Sequence, residues 1–354
     1  MNCLQRSEQF CHDYNLEVPV IMAPMAGACP IEMAAAVSNA GGMGACGALL
    51  LQPEQITGWA DDFRAASNGV FMLNNWIPDA AVTRDDAHEE RLKDFLAQFA
   101  PRLPQGETSL SAPDFDAQCQ AMLDANPHII SSIMGLYEAG FVQEMKARDI
   151  KWFATITSVT EALAAEAAGA DALVVQGHEA GGHRGQFLSD FSDSAGLMAL
   201  LPAVSDAVSL PLIATGGIAD ARGMSAALML GACAVQIGTG LLRTPEAGIS
   251  PAWAAAIETA RPEDTILTRA YSGKPGRALK NRYIDAAHHP DNPEPAPYPV
   301  QRALTQSMRS KASAEDDIEM MQAWAGQAAR LASDAQAGAF LTALWADVKQ
   351  RFES

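Results

Sequence analysis

The chain has 354 residues, 49% hydrophobic and 19% charged, enough to bury one large core or two smaller ones. Lys and Arg number 24 against 42 Asp and Glu, and the resulting net charge of -18 repels nucleic-acid phosphate and anionic lipid, so neither is an expected partner. The six cysteines (Cys3, Cys11, Cys29, Cys46, Cys119, Cys233) form no CxxC pair, which speaks against a zinc site or a disulfide framework and fits reduced thiols in the cytoplasm. Residues 1–14 lack the apolar stretch of a secretory signal, and no later run is apolar for long enough to span a bilayer.

In chain order, short apolar runs alternate with longer amphipathic stretches, the pattern of a parallel sheet buried on both faces. Eight runs read as strands: Pro19–Ala23, Gly42–Cys46, Gly69–Leu73, His128–Ile133, Lys151–Ile156, Ala172–Gln176, Pro211–Thr215 and Ala234–Ile237. Eight such strands predict a (β/α)8 TIM barrel. Ile31–Asn39, Tyr137–Arg148, Val159–Ala168, Ser194–Val208 and Ala221–Leu230 carry apolar residues at helical spacing, several followed by a glycine suited to the helix end. Asp79–Asn126 reads as an excursion with Arg91–Phe99 as its best helix. The expected organisation is a barrel over 15–260, then a C-terminal helical cap over 261–354 with a Pro-rich stretch, Pro290–Pro299, and a helical tail, Ala314–Phe352.

The ends of barrel strands build the active site, so the residues after each run carry the functional reading. They include Ala23-Pro24-Met25, Asn74 and the loop Gly177-His178-Glu179-Ala180-Gly181-Gly182-His183. Gly216-Gly217 and Gly238-Thr239 follow the last two strands, where glycine admits a phosphate close to backbone N–H groups; tight turns alone are the plainer reading of either pair. Gln176 offers an amide to a planar heterocycle, or else ties neighbouring strands together. His183, an imidazole among glycines, is the candidate for substrate recognition or proton transfer, with His178 second. HExxH metal spacing, a strand-following GxGxxG and a GxSxG elbow are all missing from the sequence.

Taken in order, Ala23-Pro24-Met25-Ala26-Gly27, Ala34 to Gly42, Gln176 to Gly185, Ala214 to Ile218, Gln236 to Thr239 and Trp324-Ala325-Gly326-Gln327 resemble the nitronate monooxygenases, formerly 2-nitropropane dioxygenases, of the class I type. The resemblance runs from about Val18 to Ala332. It implies FMN in the mouth of a TIM barrel, surrounded by Ala23, Pro24, Met25, Asn74, Gln176, Gly181, Gly182, Gly216, Gly217, Gly238 and Thr239, with His183 as the active-site histidine. The implied substrates are a small anionic alkyl nitronate and O2, the products a carbonyl compound and nitrite, and a homodimer is one assembly open to the chain. Ala28-Cys29-Pro30 and Asn75-Trp76 depart from the family pattern. Two readings compete with this one. FMN-dependent NAD(P)H reductases of the enoyl-acyl-carrier-protein or quinone type resemble the same barrel and loop, while Arg184-Gly185 and Trp324–Gln327 lean toward the nitronate enzymes. The other is a phosphate-ligand-binding barrel without redox chemistry.

Overall fold

The computed structural model describes residues 1–105, 113–187 and 194–353. Each of the eight expected runs overlaps a strand: β1 (Val20–Met22), β2 (Met43–Gly47), β3 (Val70–Trp76), β4 (Ile129–Ile133), β5 (Lys151–Ile156), β6 (Ala172–Gln176), β8 (Leu212–Thr215) and β9 (Ala234–Ile237). They close into one parallel barrel in that order, β9 pairing back onto β1 through Val20↔Val235 and Met22↔Ile237. The fold is therefore a (β/α)8 TIM barrel. β7 (Gly182–His183), β10 (Thr265–Thr268) and β11 (Gly276–Leu279) make a separate three-stranded sheet beside the mouth, in the order β10-β11-β7.

Strand alternation explains why the barrel's upper layer is polar. Asn74, Ser131, Thr155, Gln176, Thr215 and Gln236 all line the mouth, whereas Ile21, Met72, Phe153, Ile213 and Ala234 lie fully buried below them. An unexpected helix, Cys3–Asp13, lies across the end where the strands begin: Phe10 and Tyr14 sit 6.4 and 4.9 Å from the Phe153 ring, and the Tyr14 hydroxyl donates to the Asp171 carbonyl at 3.1 Å.

Three expectations are corrected. Strand β3 continues past Leu73 through Trp76, because pairing with β4 persists to Trp76↔Ile133. In the excursion, the first helix is Asp86–Leu96 rather than Arg91–Phe99, since the Asp85 carboxylate accepts from the His88 N–H and starts it earlier. Residues 106–112 of that segment lie outside the described residues, and the helix after them, Phe115–Ala125, packs beside Pro53–Ala66 in the barrel's outer layer. Asp114 caps this helix by accepting the Ala117 N–H at 2.8 Å. Asp114→Ala is expected to cost about 1 kcal/mol in urea unfolding, and an unchanged midpoint would contradict the cap.

The tail from Ala314 onward is not one helix. Gln306–Glu315 stops where Asp316 turns left-handed (φ 53°), freeing its carboxylate to accept the Ala252 N–H at 3.1 Å. Residues 316–336 then run mostly irregularly past the mouth, and Ala337–Glu353 docks on Ile31–Asn39 and Ala221–Met229 through Leu341, Leu344 and Val348. A second apolar cluster joins the Asp86–Leu96 helix to the post-barrel segment through Leu92, Phe95, Tyr271, Tyr283, Met308 and Met321.

Candidate active site at the barrel mouth

His183 and the eleven residues expected around the cofactor all line one cavity of about 330 Å³ at the carboxyl ends of the strands, a size in the usual range for small-molecule sites. One wall is bare backbone. Gly216 and Gly217 hold φ of 111° and 70°, conformations that favour glycine and turn the chain sharply after β8. Gly181 is demanded by close approach: a Cβ there would lie 2.5 Å from the Gly326 nitrogen and 2.9 Å from Thr239 Oγ1. Gly326 N–H donates to Thr239 Oγ1 at 3.0 Å, and Gln327 N–H to the Glu179 carbonyl at 2.9 Å. The C-terminal segment is thereby strapped across the ends of the barrel strands.

The polar side chains on the floor divide into committed and open groups. Gln176 spends its amide on the histidine loop, Nε2 donating to the His183 carbonyl at 3.0 Å and Oε1 accepting the Gly185 N–H at 2.8 Å. The plainer of its two roles thus has direct geometric support. Asn74 Nδ2 donates to Ser131 Oγ at 2.8 Å, leaving Oδ1 without a donor among the described residues. Gln236, 8% exposed, makes no side-chain hydrogen bond among the described residues, so its amide is available to a ligand. Asn75 points the other way, into the helix layer, and donates to Gln118 Oε1 at 2.9 Å.

His183 stands in an aromatic box at the cavity. Trp76 and Trp324 meet its ring edge-to-face with centroids 4.7 and 4.8 Å away, and Tyr298 packs against Trp76 at 5.6 Å. Its Nε2 lies 2.8 Å from Ser272 Oγ. Burial first, then the charges of Arg302, Lys274 and Arg309, push the imidazole down to about 3, so it is neutral at physiological pH. Below its ordinary value of 6.5, the unfolded chain's imidazole takes up a proton that the folded site refuses. His183 therefore contributes stability above pH 6.5 that is progressively lost toward about 3. Acid unfolding of His183→Ala should be less steep than wild type across that interval; superimposable curves would argue against this burial.

The three cations differ in what they have left to offer. Lys274 is paired with Asp79 at 2.8 Å. Arg309 donates to Thr305 Oγ1, Gln322 Oε1 and the Arg302 carbonyl at 3.1, 3.2 and 2.9 Å. The Arg302 guanidinium lines the cavity without an acceptor among the described residues. His178, the second candidate, does not line this cavity; its carbonyl accepts from Arg277 Nε at 3.0 Å.

Sequence reading gave no site role to Ser131, Thr155, Gln236, Trp76, Ser272, Tyr298, Arg302 or Trp324, although Gln236 and Trp324 lie in segments that carry the family resemblance and Trp76 in one that departs from it. The first three were accessible from strand alternation alone. The other five reach the mouth from the end of β3 or from after the barrel.

A (β/α)8 barrel whose mouth combines a backbone cradle with one half-buried imidazole has the layout of an enzyme that works on a small molecule bound over its strand ends. Residues 9–347 match the family described as Nitronate monooxygenase. A "Probable nitronate monooxygenase" of Staphylococcus aureus (strain Newman) is 33% identical over 343 residues, covering 95% of this chain and 96% of that protein. Among solved structures, the nitroalkane oxidase from Streptomyces ansochromogenes superposes with a TM-score of 0.88 at 31% identity, covering 96% of this chain and 99% of the other. FabK from Thermotoga maritima gives 0.77 at 25% identity, covering 98% and 97%. The chain belongs to the nitronate monooxygenase family and is an oxidoreductase. Among the described residues, no helix is long and apolar enough to cross a membrane.

Proposed function

We propose that the protein binds FMN in the glycine-lined cradle and oxidises small alkyl nitronates with O2, giving a carbonyl compound and nitrite. The observation that carries this reading is Arg302, a guanidinium without an acceptor among the described residues, whose charge acts on His183 in the same cavity. Arg302 is half-buried at the cavity, and an anionic substrate would supply the partner that the described residues do not.

The cradle suits a flavin phosphate and ring. Gly216-Gly217 and Gly238-Thr239 put backbone N–H groups at adjacent strand ends. A Cβ on Gly238 would meet Ala23 Cβ and Met25 Sδ at 3.3 Å, and space around Gly182 is open to 4 Å. Asn74 Oδ1 and the Gln236 amide offer an acceptor and a donor to a planar heterocycle. When bound, FMN supplies the redox chemistry, and the protein supplies orientation and electrostatics. Arg302 draws the nitronate in and balances its charge. His183, uncharged, makes a directional hydrogen bond to it. Trp76, Tyr298 and Trp324 wall the substrate from bulk water, which strengthens both contacts.

Arg302→Gln should raise KM for an alkyl nitronate about tenfold, with a smaller change in kcat, since it removes one charge-assisted contact. Nitrite release against substrate concentration measures both constants. An unchanged KM would remove the support this residue gives. Mass spectrometry of the cofactor released on denaturation tests its identity, and a mass other than that of FMN would overturn the assignment.

A further inference from the structure

Ser272 is 1% exposed and belongs to the turn between β10 and β11, not to the barrel. Its position is tightly set. Gly273 beside it has φ of 86°, and a Cβ there would fall 2.4 Å from the Ala296 carbonyl oxygen and 2.5 Å from the Tyr298 nitrogen. The turn is therefore wedged against the segment that carries Tyr298, and it holds the hydroxyl at the rim of the cavity.

The Ser272 oxygen has three polar neighbours and one proton to give. The Lys274 N–H donates to it at 3.3 Å; His183 Nε2 lies at 2.8 Å and the Lys274 carbonyl at 3.2 Å. The closer of the two possible acceptors is the histidine nitrogen. On the other side of the ring, Nδ1 has no partner among the described residues and is not sealed from solvent. Trp76 and Trp324 meet the ring from its flanks and hold its plane. A neutral imidazole has one N–H and one lone pair, so whichever nitrogen Ser272 engages decides what the other presents. Opposite a bound anion, a lone pair is repelled and an N–H is attracted.

We propose that the Ser272 hydroxyl donates to His183 Nε2 and so keeps the ring proton on Nδ1, making the imidazole a hydrogen-bond donor to an anionic substrate oxygen. Ser272 is a positioning residue, since it acts through His183. The inference rests on the nitronate reading only for the identity of the anion; the tautomer is a separate fact and is measured separately.

The test uses flavin-loaded full-length protein labelled with 15N-histidine. Nitrate serves as an unreactive planar anion with an O–N–O edge. Two-bond 15N–1H correlation spectra assign the tautomer of His183, identified by the signal lost in His183→Asn. With nitrate bound, wild type should show the proton on Nδ1. Ser272→Ala should move it to Nε2 and weaken nitrate binding about tenfold, read from perturbation of the cofactor absorbance, the loss expected for one hydrogen bond to a charged group. Ser272→Thr, which retains the hydroxyl, should restore both. Arg302→Gln should weaken nitrate binding and leave the tautomer on Nδ1. A wild-type signal with the proton on Nε2, or an unchanged tautomer in Ser272→Ala, would overturn the proposal even if nitronate turnover is found. A proton on Nδ1 together with no nitronate turnover would uphold it and overturn only the substrate reading.

Discussion

His183→Ala is expected to keep its cofactor while kcat/KM for an alkyl nitronate falls about a hundredfold, the cost of removing one preorganised donor from a desolvated site. Cofactor retention follows from the geometry. The cradle is made by backbone around Gly181, Gly216 and Gly238, and the histidine loop is held by Gln176 through the main-chain carbonyl of residue 183 and the N–H of Gly185. The imidazole itself contacts Ser272 and two tryptophans. Absorbance of the purified variant measures occupancy, and steady-state nitrite release measures turnover. Full activity in the variant would remove His183 from the mechanism.

Gly181→Ala is the second large effect, and its direction is the reverse: the fold at the mouth should fail before the chemistry does. The added methyl lands 2.5 Å from the Gly326 nitrogen and 2.7 Å from the Ala325 carbonyl carbon, both backbone atoms that cannot swing away. Relief requires the 324–327 strap to lift, breaking the Gly326 N–H to Thr239 bond and opening the cradle on which the cofactor depends. We expect a loss of about 2 kcal/mol in denaturant unfolding and purification with little bound flavin. Gly182→Ala provides the contrast, for its Cβ would meet nothing within 4 Å, and only its φ of 73° resists substitution. Equal flavin content in Gly181→Ala and wild type would show that the strap is not needed for binding.

The barrel was legible because parallel strands buried on both faces leave continuous apolar runs, such as Ala172-Leu173-Val174-Val175, that no amphipathic surface element would carry. Gly216 and Gly217 were legible for a related reason, since their positive φ is a local property, whereas the contact that makes Gly181 obligatory comes from distant Gly326. Long-range partnerships were not. Ser272 reaches His183 across 89 positions from a hairpin whose strands are only four residues each, too short to stand out as periodicity. Arg302 looked like any helical surface charge, and only the packing of its helix beside the mouth makes it a pocket cation.

Gln176 shows the limit from the other side. Its place at the end of β6 was readable, but whether its amide faces a ligand or the loop depends on where the chain returns at Gly185. The Phe115–Ala125 helix was hidden inside a segment with mixed charge, and its apolar face became evident only against Pro53–Ala66. Asp316 likewise ends a helix by a left-handed turn that a non-glycine residue seldom takes, so the sequence around it reads as continuous helix.

The most direct test of the account is to mix the purified protein, without oxygen, with propionate 3-nitronate, NADH or NADPH in separate experiments, follow the flavin absorbance, and then admit air. The account predicts an absorbance change with the nitronate, followed by oxygen uptake and nitrite release, and little response to either nicotinamide. A change produced only by NADH or NADPH, with the nitronate inert, would contradict it and assign the same mouth to a reductase.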